Sequence, residues 1–187
     1  MNIDLSHIDP DVLATCSEID KIEYVMSQYK EQIECPLTHL FTPGLYTRTI
    51  FMHAGSLIMS MTHGTRHPFV ISAGEVDVIS PEGAVTHVAP YMGITQPGTK
   101  RFLHVKKDTT WTTFHTNPKN LVDPDQVGED ILEKCSNPLI DENYPMQKPW
   151  SKNESNSTII NAIGDVMTIE ELNTNNKEED QLCLGYQ

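Results

Sequence analysis

The sequence predicts a mainly β protein: a jelly-roll barrel, preceded by a helical arm and followed by a mostly irregular extension. Three observations predict it. Between residues 46 and 116, short runs of β-formers alternate with Gly- and Pro-containing turns, as antiparallel strands joined by tight connections do. Before them, apolar side chains recur every three or four positions, the period of a helix. After them, packing residues thin out in favour of Asn, Pro, Ser and acids. Residues 1–40 are thus read as a helical arm, 41–117 as the barrel, and 118–187 as a short helix with a C-terminal extension.

The arm carries its stripe at Val12, Cys16, Ile19, Ile22, Met26, Tyr29 and Ile33. Ser17 followed by Asp20 can satisfy the free amides of a helix start, so a break falls near Ser17. The Cys35-Pro36 step ends the helix, because the residue before proline is pushed out of the helical region. The stripe packs either on the neighbouring domain or on another subunit. Thr42-Pro43-Gly44 makes the first turn. Candidate strands follow at 46–52, 56–61, 68–72, 75–80, 84–88, 93–96, 100–105 and 110–116. They are separated by Ala54-Gly55, Gly64, Ala73-Gly74, Pro81-Glu82-Gly83, Ala89-Pro90 and Pro97-Gly98. So many short strands suit a small closed sheet or a double-sheet sandwich, with alternate side chains filling the interior.

Beyond the barrel, one short helix is expected over 124–135, anchored by Ile131 and Leu132. Residues 137–157 have linker composition, 158–166 are β-prone, and 168–172 can start a helix. This stretch cannot bury enough apolar surface to offset its own ordering entropy, which points to assembly with neighbours.

Composition narrows the function. The formal charge is −13, and its distribution is uneven. Residues 1–40 hold 8 acids and 2 bases, 41–117 hold 4 acids and 6 bases, and 118–187 hold 14 acids and 5 bases. A near-neutral middle between two acidic arms repels phosphate-rich partners, so nucleic-acid binding is not expected. No run of about 18 apolar residues offers a membrane span, and the N-terminus lacks the basic start and apolar stretch of a secretory signal. The four cysteines are far apart with no CxxC pairing, and read as reduced thiols of a cytosol-made protein.

The stretch GSLIMSMTHGTRHPFVISAGEVDV, residues 55–78, resembles the first motif of the cupin superfamily: Gly, strand, His-rich turn, strand, closing Gly. GITQPGTKRF, residues 93–102, is similar to the second cupin motif. The chain is more similar still to small phage- and prophage-encoded cupin-like proteins of unassigned activity, through Leu45–Gly55, His63–His67, Ala89–Arg101 and Asp108–His115. The likeness covers roughly residues 36–135. It implies a cupin-type jelly-roll barrel. Cupin enzymes hold a divalent metal through two His and one Glu of the first motif and one His of the second. Aligned on Gly74 and Gly98, those positions fall on Met61, His63, His67 and Arg101.

Two readings of the histidines are open. In one, His63 and His67 bracket a tight turn, hydrogen-bonded to backbone or to Glu75, and no cofactor is bound. In the other, His115 joins them. It shares a strand face with Trp111 and Thr113, whereas His104 points the opposite way. Three imidazoles with an open position suit zinc or iron. Arg101 likewise has two readings: it pairs with Asp77 or Glu75 or reaches the barrel mouth, or it grips a carboxylate or phosphate ligand.

Other chemistries lack their residues. There is no Gly-rich phosphate loop, no GxSxG turn, and only Glu75 and Asp77 as a close acid pair in the barrel, side by side on one strand. The leading expectation is a non-catalytic phage structural or accessory protein. It would be made in the host cytoplasm and placed in the virion, assembling with other virion proteins and as a homo-oligomer. The alternatives are a metal-dependent cupin enzyme of dioxygenase or isomerase type, using His63, His67 and His115, and a carbohydrate-binding module using Trp111.

Overall fold

The computed structural model describes residues 5–29, 33–133 and 137–140, together with the backbone of 157–160 and 166–167. Two short helices open the chain, α1 (Pro10–Thr15) and α2 (Glu18–Ser27). Asp9 caps α1, with Pro10 in the first turn, where its missing N–H costs nothing. Ser17 and Asp20 form a reciprocal capping box at the start of α2, at the break the sequence predicts. Helix α2 ends at Ser27, earlier than the stripe suggests; Tyr29 and Ile33 are about half exposed. The chain must become extended by Pro36, because the Phe51 amide already donates to the Pro36 carbonyl.

The strands are β1 (Leu37–Thr42), β2 (Gly44–Met52), β3 (Leu57–Met59), β4 (His67–Ser80), β5 (Gly83–Val88), β6 (Tyr91–Thr95) and β7 (Phe102–Asn117). Helix α3 (Pro124–Ile131) follows, then β8 (Ser157–Ile160) and β9 (Val166–Met167). All pairings are antiparallel except β1 with β8. Strands β4 and β7 pair along most of their length and are shared by two half-sheets. In one half, β6, the first part of β4, the second part of β7, β2, β1 and β8 lie side by side. In the other, β5, the second part of β4, the first part of β7 and β3 do. A single buried cluster draws Phe69, Ile71 and Trp111 from the first half and Val76, Val78, Leu103 and Val105 from the second. The two halves therefore face each other, as in the cupin-type jelly roll expected from the sequence.

Two candidate strand pairs prove to be continuous. The separator Ala73-Gly74 and the charged stretch before Thr110 lie opposite each other, and the register shifts there between Ile71 and Val76. A bulge bends the paired strands without ending them. Conversely, β1 begins inside the segment read as the helical arm and runs past its end at residue 40. Leu37, His39 and Phe41 point inward, and Thr42 to Gly44 turn the chain straight back into β2. A smaller cluster of Leu37, Phe41, Tyr46, Val127 and Ile131 seats α3 on these two strands. Helix α3 stops at Ile131, short of the expected 135, because Leu132 is taken into a bridge with His63. The expected helix at 168–172 lies outside the described residues. Cys16 and Cys35 are free thiols, and no described helix is long and apolar enough to cross a membrane.

Helix α2 is held against the barrel by a buried polar clasp. Glu23, 4% exposed, pairs with Lys100 and accepts from Asn137 Nδ2 at 2.7 Å; the same amide donates to the Asp20 carbonyl at 2.9 Å. Removing one member of a buried pair leaves the other charge desolvated. Lys100→Met is expected to destabilise the protein by about 2 kcal/mol, because Asn137 still serves the carboxylate. Urea unfolding checks this, and a change below about 0.5 kcal/mol would show that the clasp is incidental.

Candidate metal centre

Three strand-and-loop segments bring the expected histidines together. His63 lies in the connection between β3 and β4, which backbone bonds pin on both sides. Gly98 N donates to the His63 carbonyl at 2.8 Å, Gly64 N to Ile131 at 2.8 Å, and Glu133 N to Thr62 at 2.9 Å. His67 begins β4 opposite Thr95 of β6, and His115 lies on β7 opposite Tyr46 of β2. Ring centroids are 4.4 Å apart for His63–His67, 4.2 Å for His67–His115 and 5.5 Å for His63–His115. One ring nitrogen from each lies within 4.8 Å of the other two, and all three side chains are buried.

The turn-bracketing reading accounts for only part of this. His67 Nδ1 donates to the Thr65 carbonyl at 3.0 Å, which leaves Nε2 with its lone pair. Thr113 Oγ1 donates to the Arg48 carbonyl at 3.3 Å and so accepts from His115 Nε2–H at 3.0 Å, which leaves the lone pair on Nδ1. His67 Nε2, His115 Nδ1 and His63 Nδ1 are the buried ring atoms of this triad without a hydrogen-bond partner. Among the described residues no hydrogen-bond partner reaches these three buried ring nitrogens, and unsatisfied buried nitrogens are costly unless a cation or proton serves them. Glu75 does not serve them: it pairs outside with Lys106 and Lys107.

A proton is disfavoured. Burial, the mutual proximity of the rings and the Arg48 and Arg101 guanidiniums push His63 down to about 2. Burial, His67 and Arg48 push His115 down to about 3, and burial also lowers His67. The rings are therefore neutral at ordinary pH, the form that ligates metal. With neutral nitrogen donors and no carboxylate among the three, the set fits zinc or iron.

The remaining expected positions fall around these rings. Met61 and Arg101 line a cavity of about 210 Å³ together with His63, His67 and Trp111. Arg101 makes no ion pair with Asp77 or Glu75, which corrects the pairing expected from the sequence. Asp77 is taken by Thr86, His104 and Lys106. Arg101 Nη1 instead donates to Thr95 Oγ1 at 3.0 Å, and its guanidinium carbon lies 5.6 Å from the Phe69 ring centre. Trp111 is no exposed sugar platform, being 6% exposed and stacked on Phe69 at 4.5 Å. His104 faces outward, as its odd spacing from Arg101 requires. Sequence reasoning missed Glu23, Arg48 and His39. The alternation of Leu37, His39 and Phe41 was the signal for the last.

His39 is fully buried, 2.6 Å from the Tyr46 hydroxyl, and burial with the nearby Arg48 lowers it to about 3. Unfolded, it takes up a proton near pH 6.5; folded, it stays neutral until near 3. Its contribution to stability is complete above 6.5 and is lost as pH falls toward 3. Between pH 6.5 and 5, His39→Gln is expected to remove about 1.5 kcal/mol of the acid destabilisation of the metal-free protein. Parallel pH profiles for the two proteins would refute this.

No family model and no curated protein matches the chain. Solved structures similar to it include a cupin-2 domain-containing protein from Halorhodospira halophila, at 13% identity and TM-score 0.36, covering 41% of this chain and 53% of that one. A cupin-2 domain-containing protein from Shewanella frigidimarina aligns at 9% identity and TM-score 0.36, over 51% and 92% of the two chains. A salicylate 1,2-dioxygenase from Pseudaminobacter salicylatoxidans aligns at 14% identity and TM-score 0.37, over 41% and 22%. The chain thus spans about half the length of the first protein and about a fifth of the dioxygenase.

Proposed function

We propose that this chain, whose fold is of the cupin type, is a metal-dependent enzyme of dioxygenase or isomerase type acting on a small molecule. The observation that carries this reading is a group of three buried imidazoles with one ring nitrogen of each within 4.8 Å of the other two, every ring also holding a buried nitrogen without a hydrogen-bond partner among the described residues. A zinc or iron ion held there supplies Lewis-acid polarisation, and iron also supplies redox chemistry. The chain's own residues do the rest. The Thr65 carbonyl and Thr113 hydroxyl fix the tautomers of His67 and His115. Ile50, Met52, Ile58 and Leu103 keep the cavity wall apolar, and Met26 on α2 brings the arm to its rim. Elemental analysis of the purified protein is expected to find about one zinc or iron per chain. Protein that stays metal-free after incubation with either ion would refute the reading.

A second reading, a virion component assembled through copies and neighbours, is favoured by a different observation. Val85, Val88, Tyr91, Met92 and Ile94 on the outer strands β5 and β6 are exposed, Met92 by 76%. Apolar side chains on sheet edges invite pairing with another chain. Mass spectrometry of purified phage particles tests this directly: absence of the chain from them would refute it.

A further inference from the structure

The cavity beside the histidines has a charge it does not balance. Among the described residues lining it, the carboxylate and guanidinium groups are those of Glu23, Arg48 and Arg101. Glu23 is neutralised by Lys100 in the clasp. Among the described residues, no carboxylate lies within ion-pair distance of Arg101. Its one side-chain hydrogen bond goes to Thr95, and Glu82 acts on it only through the longer-range field. A guanidinium carries five donors in a planar fork, so most of those of Arg101 remain for a ligand. The wall also carries the apolar side chains of Ile50, Met52, Leu103 and Trp111, beside the hydroxyls of Ser60, Thr95 and Thr113. A void of about 150 Å³ suffices for benzene, so about 210 Å³ admits a ring with one small substituent.

We infer that this cavity takes a small organic monocarboxylate, its carboxylate against Arg101 and its apolar body against Trp111 and Leu103. The inference rests on the metal reading in the sense that it names what the same site accepts. A resident dication adds positive charge and strengthens the requirement for an anion. Arg101 selects by charge, and the apolar wall selects by shape.

Equilibrium dialysis with benzoate and its neutral counterpart benzamide, on metal-free and on zinc-loaded protein, tests it. Benzoate is expected to bind at least about tenfold more tightly than benzamide. On the metal-free protein, Arg101→Met is expected to remove that preference, while its zinc uptake stays that of the wild type. Equal binding of the two probes by the wild-type protein, or a preference that survives in Arg101→Met, would overturn the inference. Because the wild-type comparison stands alone, it decides even if the variant fails to fold. Charge-selective binding by a protein that takes up no zinc or iron would support this inference while sinking the metal reading, so the two fail separately.

Discussion

Replacing His67 with alanine is expected to lower zinc affinity by at least about 100-fold while the barrel stays folded. Loss of a residue that only orients a metal-bound histidine costs between about 10-fold and 100-fold, and loss of a ligand itself costs more. His67 lies between His63 and His115, with the two shortest ring separations, 4.4 and 4.2 Å. Removing it leaves two nitrogens on opposite sides of a gap. Thr113→Val keeps every ring but frees His115 to rotate or to change tautomer, and is expected to cost about 10-fold to 100-fold. His104→Ala, on the outer face of the same strand, is expected to leave affinity unchanged. Competition against a coloured chelator measures all three, and near-ultraviolet circular dichroism reports packing. Equal zinc uptake by wild type and His67→Ala would refute the triad as a metal centre.

Gly74→Ala is expected to destabilise the protein by at least about 3 kcal/mol. Gly74 sits at the bulge where β4 bends, with φ of +99°, a conformation L residues avoid. A methyl group there would also overlap the Thr109 side chain and the Asp108 carbonyl of the paired strand. Strain and overlap act on the one point that lets β4 and β7 serve both half-sheets, so relief by backbone movement disturbs the cluster around Ile71 and Val105. Gly83→Ala separates the two terms. Its φ is +127° but nothing lies within 4 Å of the added carbon, so only strain remains, about 1–2 kcal/mol. Guanidinium unfolding of both variants checks this. Equal losses would mean that the close strand approach at Gly74 contributes nothing.

Much of the fold was legible because strand periodicity and turn chemistry are local. The capping box at Ser17, the proline opening α3 and most strand positions follow from neighbouring residues. Misreadings occurred where pairing partners decide. Ala73-Gly74 reads as a turn from the sequence, but with a second strand alongside it becomes a bulge. The segment from Leu37 looks like the end of an arm until β2 pairs with it across the whole of its length.

The site divides along the same line. His63 and His67 are bound to each other by a short connection, and strand alternation alone put His115 on one face with Trp111 and Thr113; the structure shows that this face is buried. What the sequence could not supply was the packing: only the structure shows that, among the described residues, no carboxylate joins the three rings and that one nitrogen of each lies within 4.8 Å of the others. Nor could it show that, among the described residues, Arg101 is left without an acid, since Glu75 pairs with Lys106 and Lys107 and Asp77 with Lys106 on the outer face. The sequence by itself determined which residues share a face, because relative side-chain direction is fixed by backbone period. Only the tertiary structure decided which inward residues meet and which charges stay unanswered. Those depend on contacts between segments far apart in the chain, and no local pattern encodes them.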